Sequence, residues 1–426
     1  MTRLPRRAFL QTSVAAGASL LTAGVSPYTS LRAAEIAADD QREVLPVAAV
    51  TTEYRINSHA DVILGKILEG FDQLGGPGPK LKLVSLYTDQ VPTNDISREK
   101  AKQHGFAISK TIEDALTLGT GKIAVAGVLS IGEHGKYGVV EKTGQFPYPR
   151  RRFFDGIADT FEKYGEVRPV FNDKHLSWNW KDGKHMYDRA QAMKIPLMAG
   201  SSVPVAWRVP PLELERGCQI EEAAAVGYGH TESYGFHALE GLQCMVERRR
   251  GGEVGVERID VYTGDDIAKA EKEGHWSREL LMAAAQTAPE NRRPRTELGP
   301  KSVLWAIRYR DGLKATLAMH TLLAYEFTFA ARLAGQSKPA ATWYQLQEGK
   351  PYYHFSYLVR AIDHFFHTGK SPYPVERTLL TTGILDAAMN ALAEGKGRDT
   401  PHLAVRYEPV DWPFAPGVAP EPRENP

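Results

Sequence analysis

The chain reads as two regions of different construction: a doubly wound parallel α/β sheet over residues 44–205, then an α+β region with a mainly antiparallel sheet over residues 206–405. Three observations predict this. Strand-like and helix-like segments alternate through the first half, as they do in doubly wound sheets. The run "KIAVAGVLSI" at 122–131 is apolar throughout, the pattern of a strand covered on both faces. In the second half, "KSVLWAIRYRDGLKATLAMHT" is two alternating runs joined by Asp311-Gly312, a hairpin signal.

Each element follows from its own pattern. Residues 44–50, "VLPVAAV", form the first strand. Ile63, Ile67 and Phe71 then recur at helical spacing. Residues 80–89 are a second strand ending at Asp89. Helices follow in "SREKAKQHG", closed by Gly105, and "TIEDALTLG", closed by Gly119. After the 122–131 strand come a helix in "RRRFFDGIADTFEKYG", a short strand "PVFND", a helix "GKHMYDRAQAMK" and a strand "IPLMAGSS". The second half adds strands in "YEFTFAARL" and "ATWYQLQ", and helices ended by Gly369 and Gly395. From residue 406 the chain is Pro-rich and is expected to be loose.

The ends have their own signals. Arg6 and Arg7 precede Phe9, Leu10 and a mildly apolar run rich in Ala and Gly. That is the layout of a twin-arginine export signal over residues 1–34, with a polar linker over 35–43. A short, Gly/Ala-rich run suits a cleaved signal rather than a permanent membrane span, so the mature chain is expected to be periplasmic or otherwise extracytoplasmic.

Composition narrows the partners. A chain of 426 residues with a formal net charge of +1 gives no reason to expect nucleic acid or an anionic membrane. Arg150-Arg151-Arg152 and Arg248-Arg249-Arg250 are expected on solvated faces. Cys218 and Cys244 make no disulfide framework and are expected as two separate buried thiols. His230, Glu232 and His237 lie close in sequence but match no standard metal-ligand spacing, so no metal is assigned.

Ligands of a doubly wound sheet bind beyond the carboxyl ends of its strands. The residues there are Thr51, Thr52, Glu53 and Tyr54 after the first strand, and Asp89 after the second. Ile131, Gly132, Glu133 and His134 close the third, with Lys136 beyond, and Asn172, Asp173, Lys174 and His175 close the fourth. A lysine near an acid and imidazoles is suited to proton transfer. The first strand–helix turn has no G-x-G-x-x-G fingerprint, so its backbone is not shaped for a pyrophosphate. Thr and Ser hydroxyls there could bond a phosphate at the helix N-terminus, whereas Glu53 would repel it. His237, at a helix start facing the first sheet, is a general-base candidate.

The order of these features resembles the Gfo/Idh/MocA family of sugar and cyclitol dehydrogenases over roughly residues 44–400. "VFNDKHLSWNWKDGKHMYDRAQAMKIPLMAGSS" is similar to the family's strand–EKP–helix–strand stretch, with "NDKH" at the Glu-Lys-Pro. "HTESYGFHALEGL" is similar to its D-x-G-x-H motif, with Gly235 and His237 matching and Ser233 in the Asp position. The resemblance implies a Rossmann domain followed by an open antiparallel sheet, with possible self-association through that sheet. It implies NAD(P) at Thr51, Thr52, Glu53, Tyr54, Asp89, Ile131, Gly132 and Lys174. It places Lys174 and His237 at the sugar hydroxyl that loses its proton, with Ser233, His175, Glu133 and His134 nearby. The missing glycines, Ser233 and His175 depart from the pattern. Three functions follow: an exported NAD(P)-linked oxidoreductase of a carbohydrate, a non-redox acid/base enzyme such as a lyase, hydrolase or isomerase of keto-sugars, or a carbohydrate-binding protein without turnover.

Overall fold

The computed structural model describes residues 42–421. The first half runs β1 (Leu45–Thr51), α1 (His59–Leu68), β2 (Leu81–Thr88), α2 (Ser97–His104), β3 (Ala107–Ser109), α3 (Ile112–Thr117), β4 (Gly127–Ile131), α4 (Arg150–Tyr164), β5 (Val170–Asp173), α5 (Trp180–Met193) and β6 (Leu197–Gly200). Its six strands are all parallel, in the order β3-β2-β1-β4-β5-β6. The order reverses between β1 and β4, which opens a crevice at their carboxyl ends. Val47, Ala48, Ala49 and Val50 are sealed from solvent, which explains why β1 reads as an unbroken apolar run. Side-chain caps start the helices: Ser58 for α1, Thr111 for α3 and Asn179 for α5.

Some elements differ from expectation. The apolar run at 122–131 is a strand only over Gly127–Ile131. Ala124 N–H is bonded to Leu116 O, at the end of α3, so this stretch packs as a buried connection rather than a ladder. Leu118, one residue before the expected Gly119, takes the left-handed position that ends α3. The three-residue β3 is too short to show a period.

The second half contains β7 (Trp207–Val209), β8 (Ile220–Val226), α6 (Ser233–Val246), β9 (Val256–Thr263), α7 (Asp266–Lys272), α8 (Arg278–Ala285), β10 (Val303–Tyr309), β11 (Lys314–Met319), β12 (Phe327–Leu333), β13 (Ala340–Gln345), α9 (Tyr353–Thr368), α10 (Val375–Glu394) and β14 (Arg398–Asp399). Eight strands form a sheet in the order β14-β9-β10-β11-β8-β12-β13-β7, antiparallel except for the β11–β8 pair.

The two halves interlock. Leu358, Val359, Ile362 and Phe365 of α9 share a core with Val47, Ala49, Leu129 and Phe171, so a helix from beyond residue 206 covers a face of the first sheet. The second sheet is not bare on its far side. Ile267 of α7 and Leu280, Leu281 and Ala284 of α8 pack on Ala224, Val226, Leu304, Ala318 and Ala330. Beyond them the same side carries charges: Arg258 with Asp260, and Glu222 with Arg332. The apolar part of the face expected to be open is thus already covered.

Three further expectations are corrected. Arg150 is sealed from solvent and Arg249 nearly so, because each arginine run turns one member inward onto carboxylates. Both cysteines are free, but Cys218 is only half-buried. The Pro-rich segment packs rather than hanging loose: Trp207 Nε1 donates to Pro416 O at 3.0 Å, and the Arg208 guanidinium lies 4.3 Å over the Phe414 ring. The proposed export signal lies outside the described residues. Among the described residues, no helix is long and apolar enough to cross a membrane.

Candidate active site

The carboxyl end of β5 turns sharply. Lys174 sits in the left-handed region (φ 64°) and its N–H bonds Gly200 O at 3.1 Å. That backbone costs a non-glycine residue about 1 kcal/mol or more. The turn aims the lysine back across the sheet, where Nζ meets Glu133 Oε1 at 2.8 Å. The second Glu133 oxygen takes Arg150, and its carbonyl accepts from Thr52 Oγ1. Burial alone would push the Glu133 carboxyl up, but the Lys174 and Arg150 cations more than offset it and hold it well below the usual range. His134 follows in a second left-handed position (φ 72°), and burial lowers its imidazole to about 4.

The second half supplies the opposite wall. The first five residues of α6 carry Ser233, Gly235 and His237. Gly235 is required there, because a Cβ would lie 2.7 Å from the Trp305 ring. His237 Nδ1 lies 2.6 Å from Ser201 Oγ, and Ser201 Oγ also accepts from Val203 N–H, which fixes the imidazole from the end of β6. Burial, aided by the Lys174 charge, holds His237 well below the usual histidine range, so the ring is neutral. Lys174, Glu133, His134, Ser233 and His237 line one cleft of about 690 Å³. The structure brings these five together from three segments of the chain.

Sequence reasoning missed part of this cleft. His59 lines it from the start of α1, with Nδ1 2.8 Å from Asp173 Oδ2. A histidine directly after the Ser58 cap, at the mouth of the first strand, was the available signal. Tyr228, Tyr234, Phe327, Phe146 and Tyr148 make an aromatic mouth that only the tertiary fold assembles.

His175 is not in the cleft. It is almost fully buried behind the wall, with Nε2 3.1 Å from Arg150 and 3.4 Å from Glu232. Burial keeps its imidazole neutral and raises the Glu232 carboxyl to about 7. Among the described residues, no group of three or more His, Cys, Asp or Glu side chains is arranged to hold a metal ion.

The proposed nucleotide residues are placed differently. Thr51, Thr52 and Tyr54 are sealed from solvent, Glu53 nearly so, and Glu53 pairs with Arg55 at 2.6 Å. The N-terminus of α1, where a pyrophosphate would lie, is capped internally: Asp61 N–H bonds Ser58 Oγ, and Asp61 Oδ2 accepts from Asn57 N–H. A carboxylate in that first turn repels a phosphate. Asp89, where a ribose would be bonded, already accepts from Tyr87, Tyr137 and Arg152 at 2.7, 2.7 and 2.6 Å. Ile131 is core, and a Cβ at Gly132 would lie 2.7 Å from Arg150 Cγ, so Gly132 makes room for a side chain rather than a ligand. These residues do not fit a dinucleotide.

Comparison with known proteins defines the fold class. No family model matches the chain, and no curated protein is similar in sequence. Solved structures do match. GenD2 from gentamicin A biosynthesis, in complex with NAD, aligns at a TM-score of 0.52 and 12% identity, covering 84% of this chain and 97% of that one. The apo scyllo-inositol dehydrogenase from Lactobacillus casei aligns at 0.50 and 8% identity, covering 84% and 98%. The fold is that of the Gfo/Idh/MocA sugar and inositol dehydrogenases, the architecture the resemblance implies. At these identities the likeness extends to the fold, and the chain is divergent from those it matches.

Proposed function

We propose that the cleft is the active site of an enzyme acting by proton transfer on a sugar-like polyhydroxylated molecule. One observation carries this reading: Lys174, anchored on Glu133, and the neutral His237, anchored on Ser201, line the same cleft from opposite walls. A fixed cation and a neutral imidazole at one hydroxyl are what its deprotonation needs. The aromatic mouth suits the apolar face of a sugar ring. The test is turnover or binding of a carbohydrate panel. Lys174→Ala and His237→Ala should each lower turnover by about 10²–10⁴-fold. Binding without turnover by the wild type would instead make the cleft a carbohydrate receptor.

An NAD(P)-linked oxidoreductase of a sugar hydroxyl is the second reading, favoured by the fold shared with the NAD complex of GenD2. Native mass spectrometry of the purified chain decides it, since a co-purifying nicotinamide nucleotide would establish it. Residues 1–34 are proposed as a twin-arginine export signal, checked by whether Arg6→Lys with Arg7→Lys retains the protein in the cytoplasm.

A further inference from the structure

Oxidising a hydroxyl requires something to accept the hydride. In this chain the place of that acceptor is filled by the protein itself, through Asp61 on the α1 N-terminus and three donors on Asp89. A different reaction of the same substrates needs no acceptor. When a carbonyl moves between adjacent carbons, one carbon is oxidised as the other is reduced. Such a reaction needs a base for a carbon-bound proton and a cation at the carbonyl oxygen.

The end of β5 supplies the cation, Lys174, and, in the residue before it, the orienter of a base carried by the start of α1. Asp173, 1% exposed, holds His59 Nδ1 at 2.8 Å, which leaves Nε2 as the ring nitrogen free of that bond. The ring is clamped edge-on by Phe355 at 5.3 Å and by His134 at 5.6 Å. A buried carboxylate behind a cleft-lining imidazole is the orienter–base arrangement of many acid/base enzymes. Lys174, the next residue, presents its cation to the same cleft.

We infer that the cleft catalyses enolisation of a sugar-like α-hydroxy aldehyde or ketone, with His59, oriented by Asp173, as the base for the carbon-bound proton. The C–H bond beside the carbonyl breaks and its proton passes to His59. The electron pair forms the C=C bond, and negative charge collects on the carbonyl oxygen beside Lys174. His237 moves the hydroxyl proton from one oxygen to the other. His59 then returns its proton to the former carbonyl carbon, so atoms and electrons balance without a co-reactant. The inference rests on the cleft being a sugar site.

The test is deuterium uptake from D2O, followed by proton NMR, with dihydroxyacetone, fructose and scyllo-inosose as probes for the full chain. The wild type should speed exchange at the carbon beside the carbonyl for at least one probe. His59→Asn and Asp173→Asn should each lower that exchange at least about a hundredfold while leaving the circular dichroism unchanged. His59→Asn should still bind the probe as the wild type does, so that the loss falls on kcat and not on KM, which a merely structural histidine would not produce. Exchange that His59→Asn leaves within about tenfold of the wild type overturns the inference, as does a wild type that binds a probe without exchange. In that second case the carbohydrate reading stands. It falls separately if no probe binds and Lys174→Ala changes nothing.

Discussion

The carboxyl ends of β1 and β5 lie on the same edge of one sheet, two strands apart, and have opposite fates. After β1, Thr51, Thr52, Glu53 and Tyr54 are shut in, and the nearby carboxylates and helix cap are satisfied by the chain's own donors. After β5, Lys174 turns its side chain to an open cleft at the expense of a left-handed backbone, and Asp173 lies buried behind the cleft-lining His59. The difference teaches that a fold's binding edge is not used uniformly. The end that tolerates backbone strain faces the cleft, and the four residues Thr51 to Tyr54 at the β1 end have become packing, with the chain reaching the cleft again only at Asn57 and His59.

The sharpest way to break the comparison is at Lys174. Lys174→Ala should lower turnover of an active carbohydrate by about 10³-fold, within the range for removing a proton-transfer group. Arg55→Ala, at the other strand end, should leave kcat unchanged. A loss at Arg55 comparable with that at Lys174 would show that the β1 end is also part of the site.

Next in size is Glu133. Its carboxylate holds two buried cations, Lys174 and Arg150. Glu133→Gln leaves both without a counter-charge, and should lower unfolding free energy by about 3–5 kcal/mol in urea denaturation. A smaller loss would mean that the cations find solvent on their own.

Glu232 probes the buried charges behind the cleft. Its carboxyl is raised to about 7 in the folded chain, chiefly by burial. The folded state therefore holds the proton more tightly than the unfolded chain. The stability this contributes is full below about 4.5 and is lost as pH rises through about 7. Glu232→Gln removes that dependence. Its Tm relative to the wild type should climb between pH 4.5 and 7 and then level off, by an amount worth at most about 3 kcal/mol. A constant offset would place the Glu232 proton elsewhere.

Much of the fold was legible because local signals agreed. The apolar runs and Gly105, Gly369 and Gly395 fix most elements of the first sheet and the last helices. β8 was not legible, since "IEEAAAV" is short and alanine-rich and gains its strand form from its neighbours β11 and β12. In the site, Lys174 and His237 could be found because each sits in a motif-like stretch at an element boundary. His59 offered only its place after the Ser58 cap, because its role depends on Asp173, which is 114 residues away. Arg150 was misplaced for a related reason: a run of three arginines reads as surface until the fold turns the first onto Glu133.

The smallest effect tests whether the β1 end is only packing. Tyr54 is sealed from solvent and its hydroxyl has no hydrogen-bond partner among the described residues. Burial and the neighbouring Asp61, Glu69 and Asp95 push its ionisation far above the ordinary range, so the hydroxyl stays neutral. A buried hydroxyl without a partner costs about 1–3 kcal/mol, whereas the ring keeps its contacts when the oxygen is removed. Tyr54→Phe should therefore leave stability unchanged or raise it by up to about 1 kcal/mol, with turnover and carbohydrate binding unaltered. If Tyr54→Phe lowered binding of any ligand, the hydroxyl would be a ligand contact, and the β1 end would have kept a binding role that its burial hides.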